Sequence, residues 1–121
     1  MERLIFAVVR GLWILVKRKS DCKGSFMIGV LTHHWTNKID IERGKTLLNS
    51  NGLAQSKAPG FVSRRTLYSR QDSTKITTLV LWDSEAIYEC WKSSPERARV
   101  MSDAGLLWSR HPESDRFDVS D

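Results

Sequence analysis

The chain has 121 residues and a mass of 13.9 kDa, which suits one domain and excludes a second independent core. Hydrophobic residues make up 40% and charged residues 27%, with seven glycines and three prolines, so the chain is neither disordered, collagen-like nor membrane-saturated. The net charge of +5 is concentrated at one end: residues 1–24 carry six basic side chains against two acidic ones, and residues 25–121 carry thirteen against twelve. The larger part is nearly neutral and lacks the basic face that phosphate neutralisation needs, so no nucleic-acid partner is expected.

The first segment, Leu4 to Val9 and Leu12 to Val16, is apolar, interrupted by Arg10-Gly11 and closed by Lys17-Arg18-Lys19. It is shorter than the about 20 apolar residues a membrane-spanning helix needs. A secretory signal would carry its charges before the apolar run and a small-residue cleavage site after it, whereas here the basic cluster comes after the run and no A-x-A pattern appears. Three readings stay open: a helix or strand packing on the domain, a poorly ordered extension, or contact of residues 1–19 with a membrane surface, which Trp13 and the basic cluster suit. The expected division is an N-terminal extension over residues 1–24 and one domain over residues 25–121. Cys22 and Cys90 lie far apart without metal-ligand or redox spacing, which suits a reducing, cytoplasmic setting. Cys90 falls in a helical pattern and is expected to be a small buried thiol.

Phe26 to Trp35 is rich in β-formers and too short for a core helix, which predicts a first strand. Ile39 to Ala58 changes period: Ile41, Leu47, Leu48 and Leu53 mark an imperfect apolar stripe, loosened or interrupted at Asn49-Ser50-Asn51-Gly52 and stopped by Ala58-Pro59-Gly60. Phe61 to Arg70 alternates as a second strand, with Phe61, Ser63, Arg65 and Leu67 on one face and Val62, Arg64, Thr66 and Tyr68 on the other. Gln71 to Thr74 is a polar turn, and Lys75 to Trp82 is a β-branched third strand, so the two form a hairpin.

Asp83-Ser84 can cap the next helix, with Glu85 in its first turn and Ala86, Ile87, Cys90 and Trp91 on its inner side. Ser94-Pro95 starts a further helix that runs to about Ala104 before Gly105 ends it. Arg116 to Val119 offers a short last strand. The order β-α-β-β-α-β predicts the ferredoxin-like α+β fold, a four-stranded antiparallel sheet with its helices on one face. The other face needs a cover, and a second copy of the sheet would make a homodimer.

The run Ala58-Pro59-Gly60-Phe61-Val62-Ser63, a hairpin, and then Trp82-Asp83-Ser84-Glu85-Ala86-Ile87-Tyr88-Glu89-Cys90-Trp91-Lys92-Ser93-Ser94 resembles the antibiotic-biosynthesis monooxygenase domain of the dimeric α/β-barrel superfamily. The resemblance covers roughly Phe26 to Val119. Its most specific part is the W-x-S-x-x-A-x-x-x-W-x-x-S run, in which two tryptophans fill a core and a serine caps a helix. It implies a dimeric α/β barrel, and it implies function less firmly, because function lives in a site.

One branch of that superfamily oxygenates aromatic, polyketide-like compounds without a bound cofactor. There the resemblance implies a pocket between sheet and helices, and of the residues only Trp91 is carried by the motif; the candidates for the other roles, read from residue type, are His33 as base, Arg65 or Tyr68 as oxyanion donor, and Trp35 and Met101 beside Trp91 as substrate-binding walls. The haem-degrading branch is the alternative; it resembles this chain at Trp91, and Met101 stands where that branch has its axial histidine. A non-catalytic dimeric ligand-binding module is the third reading. No metal is expected, since His33 and His34 are adjacent and His111 lies in a polar loop.

Overall fold

A computed structural model describes residues 4–9 and 12–17 as strands and residues 26–121 throughout. In chain order the elements are β1 (Leu4–Val9), β2 (Leu12–Lys17), β3 (Ile28–Trp35), α1 (Ile41–Ser56), β4 (Phe61–Tyr68), β5 (Lys75–Trp82), α2 (Glu85–Lys92), α3 (Pro95–Val100), α4 (Ala104–Leu107) and β6 (Glu113–Asp118). β1 and β2 form an antiparallel pair of their own, with Val9 opposite Leu12 and Leu4 opposite Lys17. The basic residues Arg18, Lys19 and Lys23, and Cys22, lie outside the described residues. No helix among the described residues is long and apolar enough to cross a membrane.

The other four strands make one antiparallel sheet in the order β4-β5-β3-β6. This is the ferredoxin-like arrangement, with the β4–β5 hairpin at one side, β3 central beside β5, and β6 on the far side of β3. Successive side chains alternate faces. Ile28, Val30 and His34 on β3 therefore share a face with Ile76, Val80 and Trp82 on β5, and all six are buried. α1 and α2 cover that face: Ala54, Ile87, Tyr88 and Trp91 pack around Ile28, Val30, Val80 and Trp82. The opposite face is open, with Leu31, Leu79 and Leu81 half-buried and Leu67 and Phe117 exposed.

α1 runs unbroken through Asn49-Ser50-Asn51-Gly52. Its buried residues are Gly44, Leu48, Asn51 and Gln55, spaced at three and four, so the inner stripe is largely polar. Leu53, expected inside, is 68% exposed. The helix is held by what this stripe touches rather than by the propensity of the four residues, a common override.

α2 and α3 begin as expected. The Ser84 hydroxyl accepts from the Ile87 amide at 3.2 Å, and the Ser94 hydroxyl accepts from the Arg97 amide at 3.2 Å, with Pro95 in first position. Two expectations at α2 are corrected: Cys90 and Ala86 are exposed, because only Ile87, Tyr88 and Trp91 turn toward the sheet. α3 ends at Val100, and Gly105 sits inside α4, whose Ala104 and Leu107 are drawn into the core.

β6 begins three residues earlier than Arg116. Its six side chains are all exposed and carry no alternating pattern, so backbone pairing with β3, from Ile28–Asp118 to His33–Glu113, is what holds it. A β-bulge between Phe61 and Ser63 shifts the start of β4. Phe61 consequently joins the face of Arg64, opposite the one expected, and meets Trp82 edge-on at 5.8 Å.

Gly60 adopts φ of 80° where the chain enters β4. A Cβ there would approach the Ile87 side chain to well inside contact distance, so both the backbone and the packing against α2 require glycine.

Candidate functional site

A cavity of about 580 Å³ opens between the sheet and the helices. Its floor is the inner sheet face: Val30, Thr32 and His34 of β3, Arg64 of β4, Thr78, Val80 and Trp82 of β5, and Ser114 and Arg116 of β6. Asn51 and Gln55 of α1 and Tyr88, Trp91 and Lys92 of α2 form its walls, and Arg97, Met101, Ala104 and Trp108 close it from the α3–α4 region.

His34 is 6% exposed, with its ring 4.9 Å from that of Trp108. Its Nδ1 lies 3.3 Å from the Ile76 carbonyl oxygen. A carbonyl only accepts, so Nδ1 carries the proton and Nε2 the lone pair. Burial lowers its pKa to about 4, with the Ile76 hydrogen bond opposing and the nearby Arg64 charge assisting. The imidazole is thus neutral at pH 7.

Arg64 is half-buried and has no carboxylate partner among the described residues. Its Nη1 donates to Gln55 Oε1 at 2.5 Å and its Nη2 to the Leu48 carbonyl at 2.8 Å, both on α1. Burial draws its pKa below the usual arginine value, yet a guanidinium stays charged in a protein. Gly52 makes this pose possible: a Cβ there would lie 2.6 Å from Arg64 Nε. Arg116, by contrast, is neutralised by Glu85 at 2.9 Å and Glu89 at 2.5 Å. Burial raises the pKa of the Tyr88 hydroxyl, which keeps it a neutral phenol.

The apolar part of the cavity is aromatic. Trp91 stacks on Trp82 with centroids 6.0 Å apart, and Tyr88 leans on the same indole at 6.0 Å. Two polar atoms of residues in this lining, Trp82 Nε1 and Asn51 Oδ1, are buried without a partner. Such atoms cost about 1–3 kcal/mol each, a cost tolerated where a site is built for something other than stability.

Of the residues expected to form a site, Trp91 and Met101 line this cavity, whereas His33, Arg65, Trp35 and Tyr68 do not. His33, Arg65 and Trp35 belong to the opposite sheet face. There His33 Nδ1 hydrogen-bonds Thr77 Oγ1 at 2.7 Å, and Trp35 lies beneath Arg110 at 3.9 Å and Lys75 at 5.6 Å. Tyr68 ends β4 half-exposed, under the Lys45 ammonium at 4.7 Å. Their sequence neighbours His34 and Arg64 occupy the cavity instead. The alternation of β3 and β4 carried the signal for both; what the sequence lacked was its phase. Among the described residues no three His, Cys, Asp or Glu side chains gather to hold a metal ion.

No family model and no curated protein matches the chain. Solved structures do. A Nitrosomonas europaea protein described as an antibiotic biosynthesis monooxygenase superposes with a TM-score of 0.74 at 11% identity, over 79% of this chain and 92% of that one. SnoaB, a cofactor-independent oxygenase from Streptomyces nogalater, gives 0.72 at 11% identity over 80% and 96%. A Chloroflexus aurantiacus protein with the same monooxygenase description gives 0.69 at 17% identity over 78% and 94%. With its sheet order, its helices on one face and these superpositions, the chain has the ferredoxin-like fold of antibiotic-biosynthesis monooxygenase domains.

Proposed function

We propose that the protein is a monooxygenase-like enzyme that oxidises a small phenolic or polyketide-like aromatic compound in this cavity without a bound cofactor. The observation that carries the reading is the presence, on the cavity floor, of a neutral imidazole and an arginine with no counter-ion among the described residues. Deprotonating an acidic C–H or O–H needs a base with a free lone pair, and His34 Nε2 offers one. The anion so formed needs a fixed positive charge in a site shielded from water, and Arg64 offers that. Binding an anion beside His34 also raises its pKa from about 4, so the base strengthens once substrate is seated.

Trp82, Trp91 and Trp108 supply flat apolar surface for an aromatic ring. The substrate anion then reacts with oxygen directly. One oxygen atom becomes a carbonyl at a former CH₂, the other leaves as water, and the substrate provides all four electrons. The likeness to SnoaB, a cofactor-independent oxygenase, supports this reading. We extend it to self-association: the open face bearing Leu31, Leu79, Leu81, Leu67 and Phe117 suits a second copy of the same sheet.

A haem reading also draws on the cavity. The donors fit in part, since the lone pair of His34 Nε2 and the Met101 thioether are both iron ligands in other proteins. Bound iron would supply redox chemistry that the side chains lack.

Oxygen uptake with anthrone- and naphthol-type compounds tests the proposal, alongside a haemin titration followed in the Soret region. The expected result is substrate-dependent uptake without haem, abolished in His34→Ala and retained in His33→Ala. Saturable haem binding lost in His34→Ala or Met101→Ala, with bleaching by reductant, would replace cofactor-free oxygenation by the haem reading. Saturable binding of the aromatic compounds without uptake would leave a ligand-binding module.

A further inference from the structure

Resting on the reading of the cavity as a binding site for an aromatic compound, we infer that its ligand carries a carboxylate in addition to the group that reacts. Four cationic side chains, Arg64, Lys92, Arg97 and Arg116, line the cavity, and no Asp or Glu does. Of the four, Arg116 is ion-paired outside the cavity with Glu85 and Glu89. Arg64 meets only a neutral amide and a backbone carbonyl. Among the described residues neither Lys92 nor Arg97 makes an ion pair; Lys92 rests over the Tyr88 ring at 5.8 Å, and Arg97 is half-buried at the start of α3.

A concave, partly open space lined by three positive charges without ion-pair partners among the described residues lowers the free energy of an anion inside it. Arg64 is anchored to α1 and stands in the sheet floor, while Arg97 and Lys92 stand on the helix side. Three positive charges exceed what one singly charged anionic group balances, which leaves a place for a second. The floor arginine suits the anion generated at the reacting atom, and the helix-side pair suits a permanent charge at the far end of the molecule. A carboxylate fits that pair better than a phosphate. The planar guanidinium fork of Arg97 matches it in a bidentate manner, and the wall offers no glycine-rich loop of amides to wrap a dianion.

Equilibrium binding measured by quenching of tryptophan fluorescence, with a hydroxynaphthoate, the corresponding naphthol and naphthyl phosphate as probes, tests the inference. The hydroxynaphthoate is expected to bind about tenfold more tightly than the naphthol at low salt, from one charge-assisted interaction. That ratio should fall toward unity in Arg97→Gln with Lys92→Gln, and in high salt. Equal affinities for hydroxynaphthoate and naphthol overturn the inference while leaving the aromatic site intact. Tighter binding of naphthyl phosphate overturns the choice of carboxylate. Failure of all three probes to bind overturns the reading of the cavity itself. Arg97→Lys, which keeps charge but loses the fork, should retain part of the preference, whereas a merely structural role for Arg97 would leave the ratio unchanged in every variant.

Discussion

Arg64 lies across α1 where Gly52 leaves a side chain out: a Cβ there would stand 2.6 Å from its Nε and 2.9 Å from its Cδ. The glycine costs helix propensity, about 1 kcal/mol against alanine. Its return is the pair of hydrogen bonds that fix the guanidinium to Gln55 and the Leu48 carbonyl. Gly52→Ala should therefore lose about 2–5 kcal/mol net where both bonds break, since hydrogen bonds to a charged group are worth about 1.5–3 kcal/mol each and alanine regains about 1 kcal/mol of propensity. Urea unfolding measures the loss. A stabilised variant would mean that the arginine pose contributes little.

Gly60 offers a sharper case. Its positive φ and the proximity of Ile87 both exclude a side chain, so Gly60→Ala should cost about 2–4 kcal/mol. Ile87→Ala in the same background relieves the clash but not the backbone strain, and should recover part of the loss in a double-mutant cycle.

His34 gives the fold a pH dependence with a definite sign. Its folded pKa of about 4 lies below the ordinary 6.5, so the unfolded chain binds the proton more tightly. The associated stability is complete above pH about 6.5, declines as pH falls, and is gone near pH 4. The full difference is about 3 kcal/mol. Urea unfolding at neutral and acidic pH should show that decline in the parent chain and a smaller one in His34→Gln. Parallel declines would mean that His34 does not titrate in this window.

Trp91 stacks on Trp82 in the core and is 5% exposed. Trp91→Ala should cost about 3–5 kcal/mol, in the range for an aromatic core truncation, while Trp91→Phe retains most of the packing. If alanine were tolerated at little cost, the Trp82–Trp91 stack would contribute little to the core and Trp91 would serve the cavity alone.

Leu31 sits at the centre of the open sheet face, opposite Leu79 on β5. Leu31→Arg should convert a dimer into a monomer in sedimentation velocity and leave the far-ultraviolet circular dichroism unchanged. A parent chain that already sediments as a monomer would remove the proposed interface.

The parts of this fold legible in the sequence are those set by local chemistry. Lys75–Trp82 reads as a strand from its β-branched residues, and Ser84 and Ser94-Pro95 announce helix starts. The Asp72 turn is likewise local, its carboxylate accepting from the Thr74 amide at 2.9 Å and hydroxyl at 2.6 Å. The site was harder to find because its residues break the usual rule. α1 turns Asn51 and Gln55 inward to meet the cavity, so its buried stripe does not look buried. β3 is apolar on both faces, with Ile28 and Val30 inside and Leu31 outside, and a strand of that kind does not declare its phase. The bulge at Phe61–Ser63 hides the phase of β4 in the same way.

The alternation along β3 and β4 has an evolutionary consequence. His33 and His34, like Arg64 and Arg65, are neighbours in the chain but belong to opposite sides of the sheet. Beyond the bulge at Phe61–Ser63, even-numbered positions of these strands can drift in response to a new ligand while odd-numbered ones answer only to whatever covers the outer surface. A scaffold whose two sets of requirements interleave in sequence without meeting in space can change its chemistry without renegotiating its contacts on the other side.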